Sequence, residues 1–303
     1  MKIKYILILL VLSFMLPFRL SSQDKTIQPF FEYPVVPDKL TNTNLRANYM
    51  VEHFWEKCKL EKETITNINA FHESFTDYLS FFILAEKPAV EKSIKKFVER
   101  VAKNADNLNL SIGMINAEVL NMKSQYCSDE VYDIFVTNLV ANKKVPKEVK
   151  EVLQRNNSIL KNSRLDALVA DFPLMQSPAG AASLYDLTSE YTLIFINEES
   201  NVDCSIYRAR LNANMSANNL IKAGTLRVVS VWMGDKAAMG EKLETEPITW
   251  EVAYLPEIGK VLDRRMRPTV YLLDKEKKIA AKFLTADDLL NILAGIEMSQ
   301  ENK

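Results

Sequence analysis

Residues 191–211 read YTLIFINEESNVDCSIYRARL. The first seven, YTLIFIN, are a continuous apolar run of the kind a strand buried on both faces shows. A short polar loop follows. Then Ile206, Ala209, Leu211 and Met215 recur at helical spacing, which predicts a helix over 203–220. Downstream, LRVVSVWM at 226–233 is a second buried strand. Residues 269–273 and 278–284 flank the polar turn Asp274-Lys275-Glu276-Lys277 and predict a hairpin. A terminal helix covers 287–298, and 171–176 and 182–187 are short candidate strands around Ser177-Pro178-Ala179-Gly180. Strand, helix, strand, hairpin and helix make a small α/β sandwich over 166–299.

Upstream the period is helical throughout. Leu45, Met50, Val51, Phe54, Trp55 and Cys58 keep a three-to-four spacing over 42–58. Phe71, Phe75, Tyr78, Leu79, Phe82 and Leu84 carry a second helix. Pro88 opens a third, with Val90, Ile94, Phe97, Val98 and Val101 inward. A fourth spans roughly 109–123; Ser128-Asp129-Glu130 caps a fifth; Pro146 starts a sixth, with Val149, Val152 and Leu153 inward, that runs toward Leu160. Residues 40–162 therefore read as an all-helical domain, whose aromatic stripes are core. The expected fold class is α+β overall, an all-α N-terminal domain followed by an α/β sandwich.

The chain begins MKIKYILILLVLSFMLPFRLSSQDK. Lys2 and Lys4 precede a 14-residue apolar run from Tyr5 to Phe18, and small Ser21 and Ser22 follow. That is the order of a secretory signal peptide, residues 1–22, cleaved near Ser22. The run falls short of the roughly 20 residues a membrane helix needs, so no span is expected in the mature chain, which is expected in the periplasm. Residues 23–39, with PFFEYPVVP, form an extended lead-in. Thirty-eight basic residues against 39 acidic ones give no electrostatic footprint for nucleic acid. Loss of residues 1–22 removes Lys2, Lys4 and Arg19 and no acid, which leaves the mature chain at −4. Of Cys58, Cys127 and Cys204 at most two can pair internally, and sequence does not fix which.

Residues 191–211 and the run RRMRPTVYLLDKEKKI at 264–279 resemble the thioredoxin-like fold. In exported members the strand ends in a loop with a C-x-x-C motif at the start of a helix, and a cis-proline loop packs against it. The resemblance implies that Pro268, between Arg267 and Thr269, is that proline and that these three residues border a peptide-facing groove. The stretch FEYPVVPDKLTNTNLRANYMVEHFWEKC at 31–58 is similar to an uncharacterised helical domain that precedes thioredoxin-like domains in exported Gram-negative proteins.

The motif itself departs from the family. Laid on the strand, it reads Asn201-Val202-Asp203-Cys204, so the resolving cysteine is kept and Asn201 stands at the nucleophile's position. A one-residue slip puts Ser200 there, and neither residue forms a disulfide. Dithiol exchange needs a thiolate that attacks and a second thiol that releases the mixed disulfide. Only single-thiol chemistry through Cys204 remains open to the motif, and Asp203 beside it disfavours thiolate. The leading expectation is a non-catalytic module that binds a protein or peptide partner in the periplasm. The alternative is a thiol-disulfide oxidoreductase acting as a monothiol through Cys204.

Nothing else nominates a cofactor. His53 and His72 fall on different helices with no further ligands to complete a metal site. The cluster Arg264-Arg265-Met266-Arg267 suits an anionic partner; its other reading is charge pairing with Glu198, Glu199 and Asp203.

Overall fold

The computed structural model describes residues 30–198, 201–234 and 246–301. The expected leader 1–22, the start of the expected lead-in, Glu199 and Ser200 lie outside the described residues.

The first half folds as the apolar spacing dictates. Helices α1 (Thr43–His53), α2 (Ile68–Ser80), α3 (Lys87–Val101), α4 (Ala105–Met114), α5 (Asp129–Ala141) and α6 (Lys147–Asn162) follow one another. Asn42, Asn67, Asn104 and Ser128 cap α1, α2, α4 and α5 by accepting backbone N–H groups that the first turn leaves unpaired. Phe54, Trp55, Phe71, Phe75, Tyr78, Phe97 and Phe135 are all buried in one core. Trp55 and Phe97 meet at 5.1 Å between ring centroids. The lead-in closes over this core: Phe31 lies 5.3 Å from the Trp55 ring and Tyr33 4.8 Å from Phe54.

Several elements differ from the sequence reading. The first helix stops at His53, and 54–58 form turns that still bury Phe54, Trp55 and Cys58. Leu45, Leu84 and Val152 are exposed instead of inward. The fourth helix starts earlier, at Ala105, and widens into a π-helical segment over Ile115–Leu120.

The second half is a five-stranded sheet in the order β3-β2-β1-β4-β5. Its strands are β1 (Tyr191–Asn197), β2 (Leu226–Trp232), β3 (Glu251–Tyr254), β4 (Thr269–Leu273) and β5 (Ile279–Lys282). Strand β1 is central, parallel to β2 and antiparallel to β4, with Ile196 opposite Thr269. Helices α7 (Val202–Ala213), α8 (Met215–Lys222) and α9 (Ala286–Glu301) supply the residues that meet Leu193 and Phe195 on one face. Val169, Phe172, Leu184, Leu187, Ile258 and Leu262 meet Ile194 and Ile196 on the other. Burial on both faces is why β1 and β2 carry unbroken apolar runs. The fold is α+β overall.

The expected single helix over 203–220 is two. Asn214, extended at φ −77° and ψ 130° in place of helical, ends α7 and caps α8 by accepting from the Ala217 amide at 2.9 Å. The candidate strands 171–176 and 182–187 form only isolated bridges, Pro173 with Ser183 and Gln176 with Val252. Pro173 has no N–H to donate, and Ser183 leads into a 3₁₀ turn at Leu184–Asp186. Strand β3 was not anticipated, because four residues are too few to show a period. No described helix is long and apolar enough to cross a membrane.

Candidate functional site

The C-terminal end of β1, the first turn of α7 and the loop before β4 converge. Asn201 is the N-cap of α7, and its side-chain oxygen accepts from the Asp203 amide at 2.9 Å. The position that the resemblance gives to a nucleophile holds a neutral amide engaged with the helix terminus, where a thiolate would draw its stabilisation. Cys204 follows in the first turn, where its amide donates to Asn201 O at 3.1 Å. Only 3% of Cys204 is exposed, and it belongs to the core between the sheet and α7. Burial pushes its thiol pKa up, reinforced by Glu198 and Asp203; a backbone hydrogen bond from Glu198 and the charge of Arg264 pull the other way without prevailing.

The Arg267–Pro268 peptide bond is cis. Thr269 is buried and donates its hydroxyl to Met266 O at 2.6 Å, which ties the loop to the start of β4. Glu198, immediately after β1, sits between two guanidinium groups: it contacts Arg264 and lies 3.1 Å from Arg267 Nη1. The arginine cluster does pair with the acidic loop, through Glu198. Arg267 keeps 59% of its side chain in solvent, against 15% for Glu198.

Arg265 turns the other way. Its guanidinium reaches Asp263 (3.0 and 2.7 Å), Asp129 at the start of α5 (2.5 Å) and Leu120 O (2.8 Å). Burial opposes its charge, yet Asp263 and Asp129 outweigh that and push its pKa up. Lys282 of β5 adds a second cation, 3.4 Å from Asp129. The Asp263 amide donates to Ser163 Oγ at 2.8 Å, just past α6. These contacts fasten the helical half to the loop before Pro268. Beside them lies a cleft of about 350 Å³, to which the helical half contributes Leu120, Asn156 and Ile159 and the sandwich half Gly259, Arg264 and Arg267. Gly259 lets Arg264 approach closely, since a Cβ there would stand 3.1 Å from its Nη1.

Of the remaining candidates Cys127 borders the Arg265 cluster, and Cys58, His53 and His72 lie apart from it. Cys58 is buried among helices, its pKa pushed up to about 12 by burial, and Cys127 is half-buried at 3.8 Å from Arg265 Nη1. All three cysteines are free thiols. His53 pairs with Glu56 at 2.8 Å and His72 with Glu118 at 2.6 Å. Among the described residues no group of three or more His, Cys, Asp or Glu side chains could hold a metal ion. Sequence reasoning missed Leu120, Asp129, Ile159 and Asp263. Only the charge of the two acids was visible in the sequence, and nothing there paired it with Arg265.

Comparison with solved structures shows which fold this chain shares. A thioredoxin-like protein from Bacteroides caccae superposes with a TM-score of 0.67 at 20% identity, over 88% of this chain and 99% of the other. The fold is thioredoxin-like. Residues 19–163 match the model of a domain of unknown function (DUF5106). The C-terminal domain of an uncharacterised Bacteroides fragilis protein is 27% identical and covers 44% of this chain and 99% of its own length, with a TM-score of 0.39. A thioredoxin domain of a thiol-disulfide oxidoreductase from Bacteroides vulgatus is 19% identical over 44% of this chain and 97% of its own, with a TM-score of 0.36. No curated protein matches the chain.

Proposed function

We propose that this thioredoxin-like protein is an exported, non-catalytic module of the cell envelope, cleaved near Ser22, that holds a peptide or protein partner against the loop Arg267–Thr269. One observation supports the reading: Asn201, at the position the resemblance gives to the attacking thiol, caps α7 with its side chain, and Cys204, the one sulfur in that run, is buried in the core. Thiolate at Cys204 is opposed by burial and by two neighbouring carboxylates. Peptide capture needs neither sulfur. Extended segments are held through backbone hydrogen bonds and side-chain pockets, and a loop at a strand's start offers both.

The test is alkylation of each cysteine in the folded protein as a function of pH, read by peptide mass mapping. Cys204 is expected to react only after denaturation. Rapid labelling with a midpoint well below the ordinary thiol value of about 8.5 would overturn the binding reading in favour of a monothiol oxidoreductase, as would loss of a partner's capture on Cys204→Ser.

A further inference from the structure

We infer that the cleft between the two halves is the partner's binding groove, and that it selects an extended segment carrying an acidic residue beside an apolar one. The inference rests on the peptide-binding reading above and adds its specificity. The charge count at the groove is uneven. Arg265 and Lys282 face Asp263 and Asp129, and those charges cancel. Among the described residues Arg264 and Arg267 share one carboxylate, Glu198, so one positive charge of that group is left over on the side nearest Pro268. Arg267 is the more exposed of the two, and its planar fork can take a second carboxylate in two parallel hydrogen bonds. The facing wall comes from the helical half: Leu120 and Ile159 are half-buried apolar residues that line the same cleft. A carboxylate and an aliphatic side chain on neighbouring positions of an extended strand point to opposite sides, one toward each wall. Neither half alone has both. The helical domain thus supplies half of a binding site, in addition to any structural role.

The experiment uses the purified full-length chain and two fluorescein-labelled peptides, one of alternating valine and glutamate and one of alternating valine and glutamine, followed by anisotropy. The acidic peptide is expected to bind about tenfold more tightly than the neutral one, the difference shrinking with added salt. Arg267→Ala should erase most of that preference, whereas Lys275→Ala, an equal charge change on the turn at the far end of β4, should leave it. Ile159→Glu should weaken the acidic peptide comparably, and Ile159→Ser repeats the test should the glutamate variant melt early. Equal binding of both peptides, or an unchanged preference in Arg267→Ala, overturns the acidic selectivity and leaves peptide binding standing. No effect from either Ile159 variant overturns the two-walled groove. Failure of both peptides to bind at millimolar concentration removes the inference together with the peptide-binding reading.

Discussion

Replacing Arg265 by Ala tests how the two halves are joined. The side chain makes charge-assisted hydrogen bonds to Asp263 and Asp129 and another to the Leu120 carbonyl. Without it, the Asp263 carboxylate, only 2% exposed, keeps Lys282 at 3.9 Å as its remaining cation. Stranding one member of a nearly buried pair costs about 3–5 kcal/mol. Asp129→Asn is milder, because Asp129 is a quarter exposed and its amide replacement still accepts a hydrogen bond. It loses one charge-assisted bond and a favourable charge at the start of α5, about 2 kcal/mol together. The double variant should cost less than the two singles added, by about 1–2 kcal/mol, since they share one contact. Urea unfolding reads this well, because Trp55 reports on the helical core and Trp232 and Trp250 on the sandwich. At a slope of roughly 2–3 kcal/mol per M, Arg265→Ala should lower the midpoint by about 1–2 M, and the circular dichroism and fluorescence curves should separate as the halves unfold independently. A midpoint within a few tenths of a molar of the parent, with the two curves still coincident, would refute the view that this arginine fastens the halves.

Four further outcomes follow from the same structure. Asn201→Ala should cost about 1 kcal/mol, the usual worth of an N-cap, and Asn201→Asp, which keeps the cap, should recover it in the same melts. Phe97→Ala should cost about 3–5 kcal/mol, because the ring is fully buried among Trp55, Phe75 and Phe135; a loss under 1 kcal/mol would mean the aromatic core repacks. Burial works against the Asp133 carboxylate, but its bonds to Asn157 (2.7 Å) and Lys161 (2.6 Å) win and hold its pKa below the ordinary value. A depressed carboxylate pKa contributes stability above the unfolded value of about 3.9 that disappears as pH falls through the folded one. Asp133→Asn should therefore lower the melting temperature at pH 7, and the difference from the parent should vanish as pH falls through the depressed folded pKa. In the folded protein Cys127, the half-exposed thiol, should alkylate first, and Cys58 and Cys204 only on unfolding.

Residue order alone specifies the elements whose burial leaves a periodic trace. The apolar stripes at 71–79 and 90–101 could only be one face of a helix, and YTLIFIN could only be a strand covered on both sides. It also determined that the run Asn201-Val202-Asp203-Cys204 holds one sulfur, whatever the fold does with it. Tertiary structure alone decided the rest. That Asn214 splits one helix in two is a choice between a side-chain cap and one more backbone turn, which differ by a few tenths to about 1 kcal/mol locally. That EVAY is a strand depends on β2 being there to pair with it. The partners of the arginine cluster are the clearest case. Arg264 and Arg265 are neighbours in sequence, yet one turns to Glu198 and the other to Asp129, 136 residues away. Charge carries no address in a sequence, because Coulomb attraction depends on distance and dielectric, and both exist only once the two cores have packed against each other.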